Sequence, residues 1–478
     1  MSSEKILRIL SGPILFAISI SIEIDSLNPA AQSILASTLW VAAWWILEAV
    51  PLAVTALMPI ILFPLSGGMN IGLTTKAYSS PIIFLFLGGF ILALAMERWN
   101  LHERIALIVI SKVGTKANQL ILGFMLATAL LSMWISNTAT ALMLVPIGIA
   151  VNNQFEKLNV QNGVDQSHTF GKVLVLAICY SASIGGTATF IGSPTNLIFI
   201  NSAKDIFGED VSFIDWLIFA LPLSIVLLFL TWIFLTKVKF RIDDKSIPSV
   251  REEIHARLKK MGSLGYEEKI VLIVFSIVAV GWITRSFLIQ RLVPNMNDAI
   301  IALMGAVVLF MIPSKSEEKQ GIMTWDEMKN LPWGILILFA GGLSIAAGFK
   351  DSGLAEWLGQ QFQVLNGIPT FVIILVIVAS VNFLTEITSN VATAAVIMPV
   401  LASLSGAIGI HPFLLMMPAS IAASYAFMLP VATPPNAVAF SSGFIKMPDM
   451  VKTGFWLNLI SIVLLSIFTY LFLPLLLE

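Results

Sequence analysis

Residues 123–150 read GFMLATALLSMWISNTATALMLVPIGIA, and residues 376–403 read VIVASVNFLTEITSNVATAAVIMPVLAS. In the first stretch an apolar run is interrupted by Ser132, Ser136, Asn137 and Thr138 and then by Pro146. In the second, Asn382, Glu386, Ser389 and Asn390 interrupt, followed by Pro399. Polar side chains and proline at bilayer depth are costly unless protein or a wet cavity covers them. Both stretches are therefore expected to be re-entrant hairpins or broken helices rather than straight spans.

The two stretches are copies. A shift of 253 residues (Asn390 less Asn137) places Ser132 on Thr385, Ser136-Asn137 on Ser389-Asn390, Ala139-Thr140 on Ala392-Thr393, Pro146 on Pro399 and Gly88-Gly89 on Gly341-Gly342. A second shift of 240 (Asn436 less Asn196) places Gly192-Ser193-Pro194-Thr195-Asn196 on Ala432-Thr433-Pro434-Pro435-Asn436. The change of shift puts a longer connection in the first half, for which the polar segment 151–171 is the natural place. Duplicated halves in a membrane chain mark a transporter built from structural repeats, and the count of crossings between equivalent elements favours inversion.

Composition supports the membrane reading. The chain is 57% hydrophobic and 12% charged, against about 45–50% and about 25% for a soluble domain. The fold class expected is an all-α integral membrane protein. Helical segments are expected at about 10–24, 34–66, 79–96, 102–112, 118–150, 172–201, 213–236, 269–290, 297–312, 331–349, 368–404, 413–441 and 452–476, with 34–66 and 118–150 broken internally. The apolar stretch Ile9 to Ile22, closed by Glu23 and Asp25, reads as a membrane segment or interfacial helix rather than a signal peptide.

From Lys237 to Tyr266 eight Lys or Arg stand against four Asp or Glu, so this basic segment is expected to be a cytoplasmic loop. Net charge of −1 gives no reason to expect nucleic acid. Cys179 is the only cysteine, so there is no disulfide framework. Arg98, Arg104 and Arg285 fall near expected helix ends and read as snorkelling side chains. An anion's charge would then be met by helix N-termini and co-bound cations. Glu48 and Glu386 lie in apolar surroundings, each either an ion site or an internal brace. Trp40, Trp44, Trp45, Trp216, Trp232, Trp333 and Trp456 fit an aromatic belt.

Short hydroxyl and amide side chains at a chain break suit both a hard cation, which prefers such oxygens, and an anion, which prefers orphan N–H groups at helix starts. Ser136-Asn137-Thr138 and Ser389-Asn390-Val391 are the leading candidates. Pro194 and Pro434 free carbonyls for an ion, and Gly185-Gly186, Gly192 and Ala432 keep the approach open.

These motifs, with Trp45-Ile46-Leu47-Glu48-Ala49-Val50-Pro51 and Phe427-Met428-Leu429-Pro430-Val431-Ala432-Thr433-Pro434-Pro435-Asn436, make the whole chain resemble the divalent anion/sodium symporters. The resemblance implies eleven transmembrane helices plus two re-entrant hairpins in two inverted repeats. It also implies a dimerising scaffold, an elevator-type transport domain and a multi-pass place in a bacterial inner membrane. One sodium site would use Ser132, Ser136, Asn137 and the backbone of Gly192; the other would use Thr385, Thr388, Asn390 and the backbone of Ala432. The dicarboxylate would lie between Ser136-Asn137-Thr138 and Ser389-Asn390-Val391, with Thr433 and Pro434 lining the pocket.

The corresponding division is scaffold 1–112, transport 113–236, basic linker 237–268, scaffold 269–365 and transport 366–478. Valine at 391, where similar bacterial carriers often have threonine, resembles animal members that accept citrate. The expected activity is coupled uptake of Na⁺ and C4 dicarboxylates such as succinate, fumarate and malate. Sodium-independent exchange, or a preference for citrate or sulfate, stands as the alternative. A channel is less compatible with an occluded central site, and no nucleophile–base pair points to an enzyme.

Overall fold

The computed structural model describes residues 3–22, 24, 26–162, 167–242, 248–316 and 320–477. Glu23, Asp25, Lys245 and parts of the segments 151–171 and 237–268 named above lie outside the described residues.

The molecule is an all-helical, multi-span membrane protein. Among the described residues eight helices are long and apolar enough to cross a bilayer, or nine if one bent pair counts as a span. Shorter apolar helices complete the set, among them Leu52–Leu65, Ala117–Ser132, Asp298–Met311 and Phe413–Ala422. Expected segment 34–66 is broken as anticipated. Helix Pro29–Leu47 ends on Glu48, whose φ of 46° is left-handed and whose N–H bonds Trp44 O, and Pro51 prevents resumption before Leu52.

The two expected hairpins form. The first joins Ala117–Ser132 to Asn137–Asn162, and the second joins Thr370–Thr385 to Asn390–Ile408. Each is followed by a helix that unwinds in its middle. Ser167–Thr187 gives way to an irregular stretch before Pro194–Ser202, and Phe413–Ala422 does so before Pro434–Ser441.

The hairpins enter from opposite ends of the molecule, as helix Phe213–Ile233 and its π-helical extension Phe234–Lys239 make plain. Near its C-terminal end, Trp232 Nε1 donates to Asn118 O at 3.0 Å, at the mouth of the first hairpin. Just before its N-terminal end, Ile206 and Phe207 share a cavity wall with Ala402, Ser403, Gly406 and Ala407 at the mouth of the second. Gly88 and Gly341 also play matched parts, letting helices Pro81–Arg98 and Trp333–Ser352 press against the backbones of Ala302 and Ala56.

Three expectations are corrected. Segment 237–268 is not simply a loop: Pro248–Met261 is a polar helix with an Arg257–Glu253 pair at i,i+4. The arginines do not snorkel. Arg104 is buried, grips Glu268 through Nε at 2.8 Å and Nη2 at 3.0 Å, and donates to the carbonyls of Met261 and Gly262, tying the linker to helix Leu101–Val113. Arg285 is buried between Asp298 at 2.8 Å and Asp210 at 3.3 Å, while Arg98 pairs with Glu327 at 3.2 Å. A buried cation is tolerable only when paired, and these partners are remote in sequence. Finally, Trp45 and Trp216 are fully buried packing residues, whereas Trp333 and Trp456 are exposed as a belt requires.

Candidate functional site

Both hairpin tips restart their second arm after a serine whose carbonyl accepts the first helical hydrogen bond. The second arm of the first hairpin starts after Ser136, whose Oγ accepts from the Ala139 N–H at 3.1 Å and whose carbonyl accepts from Thr140 N–H at 3.0 Å. This is the capping that a serine in that position favours. The second hairpin restarts after Ser389, extended at φ −67° and ψ 130°, whose carbonyl accepts from Thr393 N–H at 2.9 Å.

Behind each tip a hydroxyl meets an amide oxygen. Ser132 Oγ donates toward Asn137 Oδ1 and toward Ala182 O at 2.7 Å. Thr385 Oγ1 donates toward Asn390 Oδ1 at 2.7 Å and toward Ala423 O at 2.9 Å. One hydroxyl has a single proton for two acceptors. A cation between the hydroxyl and the amide oxygen would use their lone pairs and send that proton wholly to the carbonyl. Gly192 belongs to the first of these clusters: a Cβ there would lie 2.6 Å from both Ser132 O and Gly186 O. Thr388 differs from Ser132 and Thr385 in that its hydroxyl meets Leu384 O at 2.8 Å and Thr393 Oγ1 at 2.6 Å rather than an asparagine amide oxygen.

The broken helices restart at Pro194 and Pro434, after extended residues Ser193 and Thr433. Proline suits a first helical position, since the N–H it lacks would have been unpaired there. Asn196 and Asn436 stitch the breaks shut. Asn196 Nδ2 donates to Gly186 O at 3.2 Å and Thr189 O at 2.8 Å, and Asn436 Nδ2 donates to Ala426 O at 2.8 Å and Leu429 O at 3.0 Å. In both cases the acceptors lie ten and seven residues back. Sequence reasoning placed these asparagines in the repeated motif without giving them this task.

Glu386 resolves as a brace. Its Oε1 accepts from Phe427 N–H at 2.7 Å, Met428 N–H at 2.9 Å and Asn458 Nδ2 at 2.7 Å, and its Oε2 accepts from Leu429 N–H at 3.0 Å. The unwound backbone of the second break therefore hangs on one buried carboxylate.

Tips and breaks surround a cavity of about 610 Å³. Its wall brings together every expected substrate residue: Ser136, Asn137, Thr138, Ser389, Asn390, Val391, Thr433 and Pro434, with Gly192 and Ala432 beside them. Ser132, Thr385 and Thr388 stand buried behind that wall. No lysine, arginine or histidine lines the cavity among the described residues. Four helix N-termini meet there instead, at Asn137, Pro194, Asn390 and Pro434. Each presents the positive end of a helix dipole; orphan N–H groups remain at the first three, whereas the fourth begins with Pro434 and Pro435, which have none, and its Asn436 N–H donates to Thr433 O at 3.0 Å.

Sequence reasoning singled out Glu48 but missed Trp134, Glu97 and Asn330 on this wall. Trp134, one residue past Met133 in the first tip, stacks on Phe213 and Trp282 with ring planes within 18° and 6°. Glu48 and Glu97 line the mouth together with Asn330, and Glu48 is exposed to the cavity rather than set in apolar surroundings. That mouth lies at the end of the molecule where Arg98 pairs with Glu327 and Arg104 with Glu268, which is the end of the basic linker.

Opposed hairpins, paired helix breaks and a chamber between them with no basic side chain among the described residues define a multi-span secondary carrier with internally repeated halves. The comparisons agree. The family model described as the sodium:sulfate symporter transmembrane region matches residues 6–477, and the chain belongs to that family. A sodium-dependent dicarboxylate transporter, SdcS, of Staphylococcus saprophyticus is 46% identical over 475 residues, covering 98% of this chain and 92% of that protein. SdcS of Staphylococcus aureus strain MRSA252 is 45% identical over 481 residues, covering 100% of this chain and 92% of its own. The same fold is found in the YdaH transporter of Alcanivorax borkumensis, with a TM-score of 0.58 at 13% identity over 98% of each chain. MtrF of Neisseria gonorrhoeae gives a TM-score of 0.58 at 12% identity, covering 99% of this chain and 95% of that one.

Proposed function

We propose that the protein is a secondary active transporter that couples Na⁺ influx to uptake of C4 dicarboxylates such as succinate, fumarate and malate. The observation that carries this is the duplicated oxygen pair, Ser132–Asn137 and Thr385–Asn390, set behind one chamber that has four helix N-termini and, among the described residues, no basic side chain. Similarity at 45–46% to relatives named sodium-dependent dicarboxylate transporters supports the choice of ion and substrate.

In this reading Na⁺ binds Ser132, Ser136, Asn137 and the Gly192 carbonyl at one site, and Thr385, Thr388, Asn390 and the Ala432 carbonyl at the other. Because the Thr388 hydroxyl is turned to Leu384 O and Thr393 Oγ1 and not to the Asn390 amide, its carbonyl is the more available ligand. Each cation adds positive field beside the chamber, and the dianion then meets Ser136-Asn137-Thr138 at one end and Ser389-Asn390-Val391 at the other, with Thr433 and Pro434 between. Cation and anion bind better together than apart, which is positive coupling.

The units 113–236 and 366–478 would move as a transport body against a scaffold of 1–112 and 269–365, an elevator motion in a homodimer. With the linker 237–268 on the cytoplasmic side of a bacterial inner membrane, the mouth at Glu48, Glu97 and Asn330 makes this the inward-open state. Uptake of radiolabelled succinate into proteoliposomes tests the coupling. A Na⁺ gradient should drive accumulation; uptake that ignores Na⁺ and requires internal dicarboxylate would establish exchange instead.

A further inference from the structure

Between the two breaks lies a cluster of hydroxyls that none of the roles above uses. Ser424, in the unwound part of the second break, places its Oγ 2.7 Å from Ser193 Oγ and 2.6 Å from Thr195 Oγ1, both at the first break; Ser193 and Thr195 are 3.1 Å apart. All three are buried, and Ser424 does not line the cavity. The three hydroxyls can close a ring in which each donates once, or open it when Thr195 turns toward Asn196 Oδ1 at 3.4 Å. The cluster thus has two proton arrangements of similar geometry.

Its position relative to the two oxygen pairs gives it a further use. Gly192 is peptide-bonded to Ser193, whose hydroxyl meets that of Ser424. Ser424 is peptide-bonded to Ala423, whose carbonyl accepts from Thr385 Oγ1 at 2.9 Å. Only two hydrogen bonds therefore separate a ligand of one proposed ion site from a ligand of the other. A cation at the second site drives the single Thr385 proton off Asn390 and onto Ala423 O, which fixes the 423–424 peptide and favours one orientation of the Ser424 hydroxyl. Ser193 and the adjoining Gly192 carbonyl are then set for the first cation.

We infer that Ser424 is a positioning residue that couples occupancy of the two ion sites. The inference rests on the ion sites proposed above. Coupling free energies between sites correspond to roughly 5- to 150-fold changes in affinity, and a link of two neutral hydrogen bonds belongs at the low end of that range.

The test is succinate uptake by proteoliposomes as a function of Na⁺ concentration. Wild-type protein should give a sigmoidal dependence. Ser424→Ala should flatten it toward a hyperbola and raise the half-saturating Na⁺ by about fivefold, and Ser424→Thr, which keeps a hydroxyl, should restore the sigmoid. A hyperbolic wild-type curve, or a Ser424→Ala curve that matches wild type in shape and midpoint, would overturn the inference. Should Ser424→Ala fail to fold, Ser193→Ala removes the other end of the Ser193–Ser424 hydrogen bond and is read the same way. Asn137→Ala and Asn390→Ala, run alongside, separate the two levels. If neither alters Na⁺ dependence the ion sites are misplaced, whereas if both do and the serine variants do not, only the coupling fails.

Discussion

The two hairpin-and-break units share a skeleton but are fastened by different chemistry. In the first, the unwound segment is held by neutral groups: Thr189 Oγ1 donates to Met133 O and accepts from Gly192 N–H at 3.1 Å. In the second, the residue aligned with Met133 is Glu386, and its carboxylate gathers three successive N–H groups and Asn458. Pro435 stands where the first unit has Thr195, so Asn436 Oδ1 is left buried without a partner, while Asn196 Oδ1 accepts from Thr195 Oγ1. At the tips, Trp134 is stacked on aromatic rings and its counterpart Ile387 is exposed. Duplication thus preserved the serine–asparagine pair at each tip and the proline that restarts each broken helix, and left free the means of holding the backbone behind them. A helix break needs its orphan N–H and C=O groups satisfied, and hydroxyls or a carboxylate can each do it.

The largest effect should come from the fastening. Glu386→Ala strands three backbone donors and Asn458 together, and each buried donor left unpaired costs about 1–3 kcal/mol. Thr189→Val in the first unit should cost about 1–3 kcal/mol, and Glu386→Gln should fall between them. Thermal unfolding in detergent ranks the three, and equal shifts for Glu386→Ala and Thr189→Val would erase the difference between the units.

Next come the groups that the units hold in common. Asn137→Ala and Asn390→Ala should each reduce Na⁺-driven uptake by roughly 10- to 100-fold, since a hydrogen-bond-strength contact to a charged partner contributes about 1.5–3 kcal/mol. A loss confined to one variant would break the functional equivalence of the tips. Smaller again, Asn196→Ala and Asn436→Ala should each lower stability by about 1–3 kcal/mol for the carbonyls they release, with near-equal melting shifts as the sharper form of the claim. Smallest is Val391→Thr, which restores a hydroxyl opposite Thr138. It should lower the KM for succinate by a factor of about 2–5, a gain of about 0.5–1 kcal/mol, measured against citrate in the same membranes.

Much of this was legible in the amino-acid order. Ser136, Asn137, Ser389 and Asn390 stand out because polar side chains are rare in apolar runs, and the twofold appearance of each beside a proline gave both hairpins and both breaks. The second shift paired Gly192 with Ala432, and the resemblance to the symporters put both at the site. What escaped were pairings whose partners lie far along the chain. Arg104 and Glu268 are 164 residues apart, and Arg104 alone reads as a snorkelling residue near a helix end. Glu386 was equally compatible with an ion site and a brace until the N–H groups of Phe427, Met428 and Leu429 were placed against it. Trp134 looked like one more apolar residue of a hairpin, since its aromatic partners come from two later helices.

The sequence by itself determined that the chain is a helical membrane protein with two broken repeats, because hydrophobic run length and the cost of polar groups in hydrocarbon are local properties readable one segment at a time. Only the tertiary structure decided which hydroxyl faces which carbonyl, which carboxylate is a brace and which lines the chamber, and which end of the molecule the chamber opens toward. Those depend on directions of single bonds and on contacts between distant segments, and a linear pattern of residue types carries neither.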